Sequence, residues 1–257
     1  MNHSAIRDLI LGNAFELFGQ PKWTFGKQTC NTYEVFAERV RMEDGENIPA
    51  WPVLELIERD EALTLLFSGW FLGTAMRSAV TLTEQTDSNV TLSMNLLPLY
   101  ANMDSYVEEV KRHLELTGLN PRKMQFELSE AQNLSRKGIE NLNDELGVGL
   151  LLANFGTGHS NIDLLREVHF DGVELDRSFA AHVPEDDQTC RLIVAIQHFA
   201  DALDLTVCVK GIENHEQFEF FDELDCFKGQ GYFIGKPMPL EELKDYILKY
   251  AVRRGHI

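Results

Sequence analysis

An apolar segment that ends in a glycine turn constrains the fold of this chain most strongly. Residues Val148 to Leu152 form an uninterrupted hydrophobic run, and the sequence Phe-Gly-Thr-Gly follows closely at residues 155–158. Such a run is typical of a parallel β-strand covered on both faces. The turn places neighbouring side chains at the carboxyl end of that strand, where α/β proteins build their sites.

The rest of the chain alternates between strand-like apolar runs and amphipathic stretches of helical length. We predict an opening helix from Ala5 to Phe18, then a strand pair near Lys22–Phe25 and Thr32–Val40. Five or six strand–helix units follow, which favours a parallel α/β barrel over an open sheet. Their predicted strands are Val90–Asn95, Lys123–Leu128, Val148–Leu152, Gly172–Leu175, Thr206–Val209 and Gly229–Phe233.

The length and the charge of the chain limit its organisation and its partners. The 257 residues suit one barrel-sized unit, and no linker divides them, so we predict a single domain over residues 1–257. The formal net charge is −18. We therefore expect no nucleic-acid or membrane partner, because both need clustered positive charge. The longest uncharged run, Ala62 to Met76, is too short to cross a bilayer.

The N-terminus and the cysteines predict a cytoplasmic protein. The first residues do not resemble a signal peptide. The cysteines lie at unrelated spacings without a CxxC pair, which is typical of reduced thiols rather than of disulfides or a zinc site. They are Cys30, Cys190, Cys208 and Cys226.

Polar side chains stand at or just after the end of almost every predicted strand. Taken alone, each is weak evidence, since Glu127 could begin a helix and Asn95 could cap a turn. As a set with one member per strand, they predict a site at one end of the barrel. The set consists of Glu34, Asn95, Glu127, Asn154, Glu174, Lys210 and Gln230.

Seven short motifs in a fixed order resemble those of the EAL domain family. They are Gln20-Pro21, Leu92-Ser-Met-Asn-Leu96, Glu127-Leu-Ser-Glu130, Phe155-Gly-Thr-Gly-His-Ser160, Leu175-Asp-Arg-Ser-Phe179, Gly211-Ile-Glu-Asn214 and Gln230-Gly-Tyr-Phe-Ile-Gly-Lys-Pro237. The resemblance covers nearly the whole chain. It implies a modified TIM (β/α)8 barrel with one reversed strand, and an ancestral activity that hydrolyses the bacterial second messenger cyclic di-GMP.

The resemblance also implies which residues should hold metal. Catalytic members of the family use water and two Mg²⁺ or Mn²⁺ ions, which need several carboxylate ligands. Three of the corresponding residues are present: Glu34 matches the glutamate of the EAL motif, and Asn95 and Glu127 match the next two ligands. Gln230 is also retained.

Other positions of the family site carry different residues in this chain. Ala153 and Asn154 replace a pair of aspartates, Glu174 replaces a lysine, and Lys210 replaces a glutamate. Three carboxylates are lost, and an ammonium takes the place of one of them, which repels divalent cations. We therefore expect that Mg²⁺ and Mn²⁺ binding is lost and that the chain is not an enzyme.

The replacements at Glu174 and Lys210 amount to a charge exchange between neighbouring strand ends. We hypothesise that Lys210 is an internal counterion that pairs with Glu174 or Glu127 in place of metal. The alternative is that both residues face solvent.

A further departure affects ligand binding. The family has an arginine that meets the ligand phosphate, and the ungapped match places Glu38 there, with Arg39 one position late. Glu34 and Arg39 cannot both point inward without a β-bulge, because strand side chains alternate.

Three functions remain open. The favoured one is a catalytically inactive EAL-like domain that acts as a bacterial regulator through a protein partner. The second is a non-hydrolysing cyclic di-GMP receptor that uses Gln20-Pro21 and the retained residues Glu34, Asn95, Glu127 and Gln230; it needs a cation from Lys210, Arg39 or Arg177. The third is an active phosphodiesterase with an altered site.

The resemblance also implies a possible homodimer through Phe155 to Leu165.

Overall fold

The computed structural model describes residues 1–96, 104–129, 136–157, 162–224 and 227–250. The strands of this part of the chain are β1 (Phe15–Thr24), β2 (Thr29–Arg41), β3 (Asn47–Pro49), β4 (Thr91–Asn95), β5 (Met124–Ser129), β6 (Gly149–Phe155), β7 (Gly172–Leu175), β8 (Thr206–Lys210), β9 (Phe227–Gln230) and β10 (Met238–Pro239). The α-helices are α1 (His3–Leu11), α2 (Trp51–Ile57), α3 (Glu61–Thr86), α4 (Asp104–Thr117), α5 (Arg136–Asp144), α6 (Ile162–Glu167), α7 (Arg177–Ala180), α8 (Asp187–Asp201), α9 (His215–Leu224) and α10 (Leu240–Tyr250).

Eight of these strands close into a barrel. The strands β2, β4, β5, β6, β7, β8 and β9 pair in that order, and every neighbouring pair among them is parallel. Strand β1 closes the ring and runs antiparallel to both of its neighbours, β2 and β9. The predicted modified TIM barrel with one reversed strand is therefore confirmed.

The alternation of side chains along the strands separates an apolar shell from a polar barrel interior. In β5 and β7, for example, Phe126 and Val173 have no exposed surface and belong to the hydrophobic core beneath the helices. Their neighbours Glu127 and Glu174 are equally buried but are charged. Because successive strand residues point to opposite faces, these carboxylates lie on the interior side. The barrel is thus filled in part by ionisable groups.

The predicted opening helix is too long, and this error conceals half of β1. Helix α1 ends at Leu11, where the amide of Gly12 caps it by donating to the Asp8 carbonyl at 2.8 Å. Asn13 then adopts a left-handed conformation with φ 53°, and β1 begins at Phe15. The apolar residues of this segment fit helical spacing, but pairing with β2 over the full length of β1 decides the structure.

Two further boundaries differ from the prediction. Strand β9 spans Phe227–Gln230 rather than Gly229–Phe233, because the chain turns sharply after Gln230. The predicted helix from Ser129 to Leu146 is represented by α5, and its residues 130–135 lie outside the described part of the chain.

The two longest strands continue beyond the barrel. Strand β2 pairs with β4 only over Thr32–Val35, yet it stays paired with β1 as far as Val40. This two-stranded extension gains a short third strand on one side, β3, and a short strand on the other, β10. We call this extension the platform; helix α1, which precedes it in the chain, packs against α3.

The helices and the cysteines of the described residues bear on the expectations about membrane spans and thiols. Among the described residues, no helix combines the length and the apolar character that a membrane span requires. Cys30, Cys190 and Cys208 are free thiols, and Cys226 lies outside the described residues.

Gly231 provides a test of the packing that ends β9. A Cβ atom at this position would overlap the backbone oxygen and nitrogen of Ile212, which cannot move aside as a flexible side chain could. We expect Gly231→Ala to lower the melting temperature more than the control Gly118→Ala. Gly118 has φ 70° with open space around it, so its substitution adds only backbone strain of about 1–2 kcal/mol. An equal or smaller loss for Gly231→Ala would contradict this packing.

Candidate functional site

Five ionisable side chains, four of them buried, meet inside the barrel and form what we call the lysine–glutamate cluster: Lys22, Glu34, Glu127, Glu174 and the partly exposed Lys210. Lys22 lies at its centre. Its Nζ atom is 2.6 Å from Glu127 Oε1 and 2.6 Å from Glu174 Oε1. The Lys22 side chain is only 1% exposed, so these ion pairs are shielded from water.

Lys210, at the end of β8, forms the second cation of the cluster. Its Nζ atom lies 2.7 Å from Glu127 Oε2 and 3.3 Å from Glu34 Oε2. Glu174 Oε2 is 3.1 Å away, an ion-pair distance, although the two groups are not aligned for a hydrogen bond. The predicted pairing of Lys210 with Glu174 or Glu127 is therefore present, with both glutamates at once. Lys210 is 26% exposed and marks the open side of the cluster.

Neutral side chains complete the cluster. Ser93 donates from its hydroxyl to Glu127 Oε1 at 2.6 Å. Asn95 donates to Glu34 Oε1 at 2.9 Å, and Gln230 donates to Glu34 Oε2 at 3.0 Å. Glu34 is thus held by two amides and one ammonium at the edge of the cluster.

The charges of the cluster come close to cancelling. Burial opposes the ammonium of Lys22, but attraction to Glu127 and Glu174 outweighs it and raises the Lys22 pKa. The same balance raises the pKa of Lys210 and lowers that of Glu127 well below its ordinary value. Burial, followed by the charge of Glu127, raises the pKa of Glu174 to about 7. With a proton on Glu174, two ammoniums face two carboxylates and the cluster is neutral.

The carboxylates of the cluster do not fit a pair of divalent cations. Each of the six oxygens of Glu34, Glu127 and Glu174 already contacts a protein donor. Two of those donors are the ammonium groups of Lys22 and Lys210, whose positive charge opposes the approach of a divalent cation. Among the described residues, no group of three or more acidic, histidine or cysteine side chains is arranged to hold a metal ion.

The two residues that replace the aspartate pair lie at the end of β6. Ala153 is buried in β6 and contributes no polar atom. Asn154 is exposed and left-handed, with φ 58°, where the pairing of β6 with β7 shifts register. Its carbonyl accepts a hydrogen bond from the Thr157 hydroxyl at 2.9 Å. The assignment of Asn154 to the site with the other strand-end residues therefore stays a prediction.

The first motif has a structural role. The Gln20 side chain donates to the Gly235 carbonyl at 3.0 Å and so ties β1 to the segment after β9. Pro21 is buried, and a Cβ atom on Gly235 would lie 2.5 Å from its ring. Neither residue joins the ion pairs of the cluster.

The arginine at position 39 does not reach the site. A bulge at Glu38 is present, since Glu16 pairs with Arg39 while Leu17 pairs with Ala37. Arg39 nevertheless points outward, with its guanidinium 4.9 Å from the centre of the Phe18 ring and 3.9 Å from Glu16. Arg177, in α7, is also exposed. Of the three candidate phosphate ligands, the structure places only Lys210 in the cluster.

Sequence reasoning missed Lys22 and Ser93. Lys22 lies two residues after Gln20, and Ser93 two residues before Asn95. Strand alternation would have assigned each to the same face as its recognised neighbour. For Lys22 this signal was lost, because the predicted strand began at Lys22 and left Gln20, its neighbour on the same face, outside the strand.

Comparison with known proteins identifies the family. The model of the EAL domain matches residues 3–237, so the chain belongs to the EAL domain family. It is 28% identical over 250 residues to the cyclic di-GMP phosphodiesterase RocR of Pseudomonas aeruginosa, covering 94% of this chain and 63% of that protein. It is 26% identical to the oxygen sensor protein DosP of Escherichia coli, covering 95% of this chain and 31% of DosP. The chain thus spans less than two thirds of these relatives.

Solved structures show the same fold. The EAL enzyme Bd1971 superposes with a TM-score of 0.83 at 22% identity, over 95% of this chain and 69% of that one. The PaMucR phosphodiesterase in complex with cyclic di-GMP gives 0.82 at 24% identity, over 93% and 98% of the two chains. The Xanthomonas citri FimX EAL domain, also in complex with cyclic di-GMP, gives 0.81 at 16% identity, over 92% of each chain.

The proposed dimer segment stays a prediction. Residues 158–161 lie outside the described part of the chain, which leaves α6 and the end of β6 as the described parts of Phe155 to Leu165.

Removing either lysine should destabilise the fold. Lys22→Met would leave Glu127 and Glu174 buried with too little positive charge, which typically costs about 3–5 kcal/mol. Lys210→Met should cost less, because Lys210 is partly exposed. The control is Lys111→Met on the exposed face of α4, expected to stay within about 0.5 kcal/mol of wild type. Denaturant unfolding provides the measurement, and three variants of equal stability would disprove the ion pairs.

The raised pKa of Glu174 makes stability depend on pH. In the unfolded chain this carboxyl titrates near its ordinary value of 4.5, and in the folded protein its pKa is about 7. Between these values the folded state binds a proton that the unfolded state releases, so stability falls as pH rises through this window. The loss attributable to Glu174 is on the order of 3 kcal/mol. Unfolding of wild type and Glu174→Gln across pH 4.5 to 8 should show the variant losing less stability, and parallel curves would count against the raised pKa.

Proposed function

We propose that this protein is a catalytically inactive, metal-independent EAL domain that regulates a partner protein by contact rather than by turnover of cyclic di-GMP. The observation that carries the proposal is the occupation of the site by its own cations. Lys22 and Lys210 engage Glu127 and Glu174 at distances of 2.6 to 3.1 Å, where a metal-dependent hydrolase needs its carboxylates free for Mg²⁺ or Mn²⁺.

The residues that remain do not supply an alternative hydrolytic route. Activation of water needs a group that accepts a proton near neutral pH and that the water can reach. Glu174 has a pKa of about 7, but its side chain has no exposed surface, so a substrate water cannot reach it. The pKa of Lys210 is raised by its glutamate neighbours, so Lys210 stays charged and cannot act as that base. Glu127 has a pKa well below the ordinary value and is already committed to two lysines and Ser93.

Charge compensation also explains why the fold does not need metal to persist. Loss of the metals alone would leave several carboxylates repelling one another inside the barrel. Here the two ammoniums neutralise that repulsion, so the barrel is a stable framework for surfaces elsewhere on the molecule. We place this regulatory protein in the cytoplasm, where cyclic di-GMP signalling operates in bacteria.

The alternative is a non-hydrolysing receptor for cyclic di-GMP. One observation favours it: Lys210 lies at the open side of the cluster, 26% exposed, where a phosphate could reach it. Related EAL structures contain cyclic di-GMP, among them PaMucR and FimX. Against it, Lys210 is held by three glutamates and Arg39 points outward, so an incoming phosphate would meet more negative than positive charge.

Calorimetry and product analysis test the proposal together. Titration with Mg²⁺ or Mn²⁺ should give no heat attributable to the cluster, and incubation with cyclic di-GMP and either metal should yield no linear dinucleotide. Titration with cyclic di-GMP alone separates the two non-hydrolytic functions. Micromolar or tighter binding would establish the receptor, whereas formation of linear product that is abolished by Glu127→Gln would overturn the proposal.

A further inference from the structure

A large groove lies on the platform formed by the extended ends of β1 and β2, remote from the lysine–glutamate cluster. It has a volume of about 820 Å³ and is lined by residues from the segments 1–16 and 41–47. We call it the acidic groove. Along β2, Glu34 and Arg41 are seven residues apart. At about 3.3 Å per residue, the groove is roughly 20 Å from the cluster.

The walls of the groove are held by backbone hydrogen bonds. The Ala14 amide donates to the Leu9 carbonyl at 2.9 Å and folds the turn after α1 back onto the helix. The Arg41 amide donates to the Ala14 carbonyl at 2.8 Å and joins the two walls. The Met42 amide closes the turn between β2 and β3 by donating to the Glu46 carbonyl at 2.8 Å. The groove is therefore a built feature of the fold.

The floor of the groove is apolar. Phe15 packs edge-on against Phe67 with ring centres 5.0 Å apart, and it shares the floor with the half-buried side chains of Leu9 and Met42. Apolar surface in a concave site of this size favours contact with an apolar side chain of a partner.

The rim of the groove is strongly acidic. It carries the carboxylates of Asp8, Glu16, Glu43 and Asp44, and Arg41 is the one basic side chain among its lining residues. Asp8, Glu43 and Asp44 are exposed, and no basic side chain of the described residues lies within ion-pair distance of them. Glu16 has only a 3.9 Å contact with Arg39. The groove thus has negative charge that the described part of the chain does not neutralise.

We propose that the acidic groove docks the partner protein through a basic segment, in which lysine or arginine side chains flank an apolar side chain. The apolar residue contacts the floor formed by Leu9, Phe15 and Met42, and the flanking cations meet Asp8, Glu43 and Asp44. Complementary charge of this kind steers association and selects the partner. The inference rests on the proposed regulatory function and assigns it a surface and a partner chemistry.

Two labelled peptides serve as probes. One is an amphipathic peptide of leucine and lysine, roughly 15 residues long so that it can form a helix, and the other has glutamate in place of every lysine. Fluorescence anisotropy at about 0.15 M salt, where long-range attraction is screened, measures the affinity of each for the full chain. We expect the lysine peptide to bind and the glutamate peptide to bind at least about tenfold more weakly.

A matched pair of variants locates the binding. The groove variant combines Asp8→Lys, Glu43→Lys and Asp44→Lys. The control variant combines Glu216→Lys, Glu219→Lys and Glu223→Lys on the exposed face of α9. Both change the net charge by the same amount, so a difference between them reports position rather than total charge. Circular dichroism verifies that each variant is folded.

The proposal predicts at least about a tenfold loss of affinity in the groove variant and less than about a twofold change in the α9 variant. Equal losses in both would mean nonspecific attraction to an acidic protein and would overturn the assignment. Absence of binding to the lysine peptide by wild type would overturn it as well. Neither outcome bears on hydrolysis, so failure of the groove assignment is distinguishable from the discovery of phosphodiesterase activity.

Discussion

The buried ion pairs of Lys22 with Glu127 and Glu174 are the interaction on which the barrel interior depends. Both carboxylates have no exposed side-chain surface, so either would be costly to keep charged without a cation beside it. In an enzyme of this family, divalent metals would supply that positive charge. Here Lys22 of the reversed strand β1 supplies positive charge in the barrel interior, and Lys210 supplies it at the open side of the cluster. We propose that these two lysines replace the metal ions of the family with covalently attached cations.

On this proposal, the stability of the fold no longer depends on the metal ions that the family's reaction requires. The same contacts that neutralise Glu127 occupy the oxygens that a metal would need, which supports the proposal that the cluster is not a two-metal site. On that proposal, function resides in the surfaces of the barrel rather than in hydrolysis. The platform beyond the barrel, with its unneutralised carboxylates around an apolar floor, is the surface best suited to that role.

Sequence reasoning identified the features that repeat and missed those that depend on strand register. The polar strand ends of the parallel units follow from period-two alternation, and the exchange of charge between positions 174 and 210 correctly indicated an internal pair. Lys22 was not recognised, because the predicted strand began at Lys22 and did not include Gln20. Leu17 and Phe18 also fit helical spacing, and only pairing with β2 shows that the strand begins earlier. The left-handed conformation of Asn154, at the end of β6, is likewise a feature that no local pattern indicates.

The most direct test of the central claim observes the two ammonium groups in the presence of a paramagnetic metal. With ¹⁵N-labelled lysine, Lys22 should give a protected ammonium signal, because it is buried and charged. If lysines have replaced the metals, stepwise addition of Mn²⁺ should leave the Lys22 and Lys210 signals no more broadened than those of exposed lysines such as Lys111. Selective broadening of these two signals at low Mn²⁺ would place a metal ion within the cluster and contradict the account.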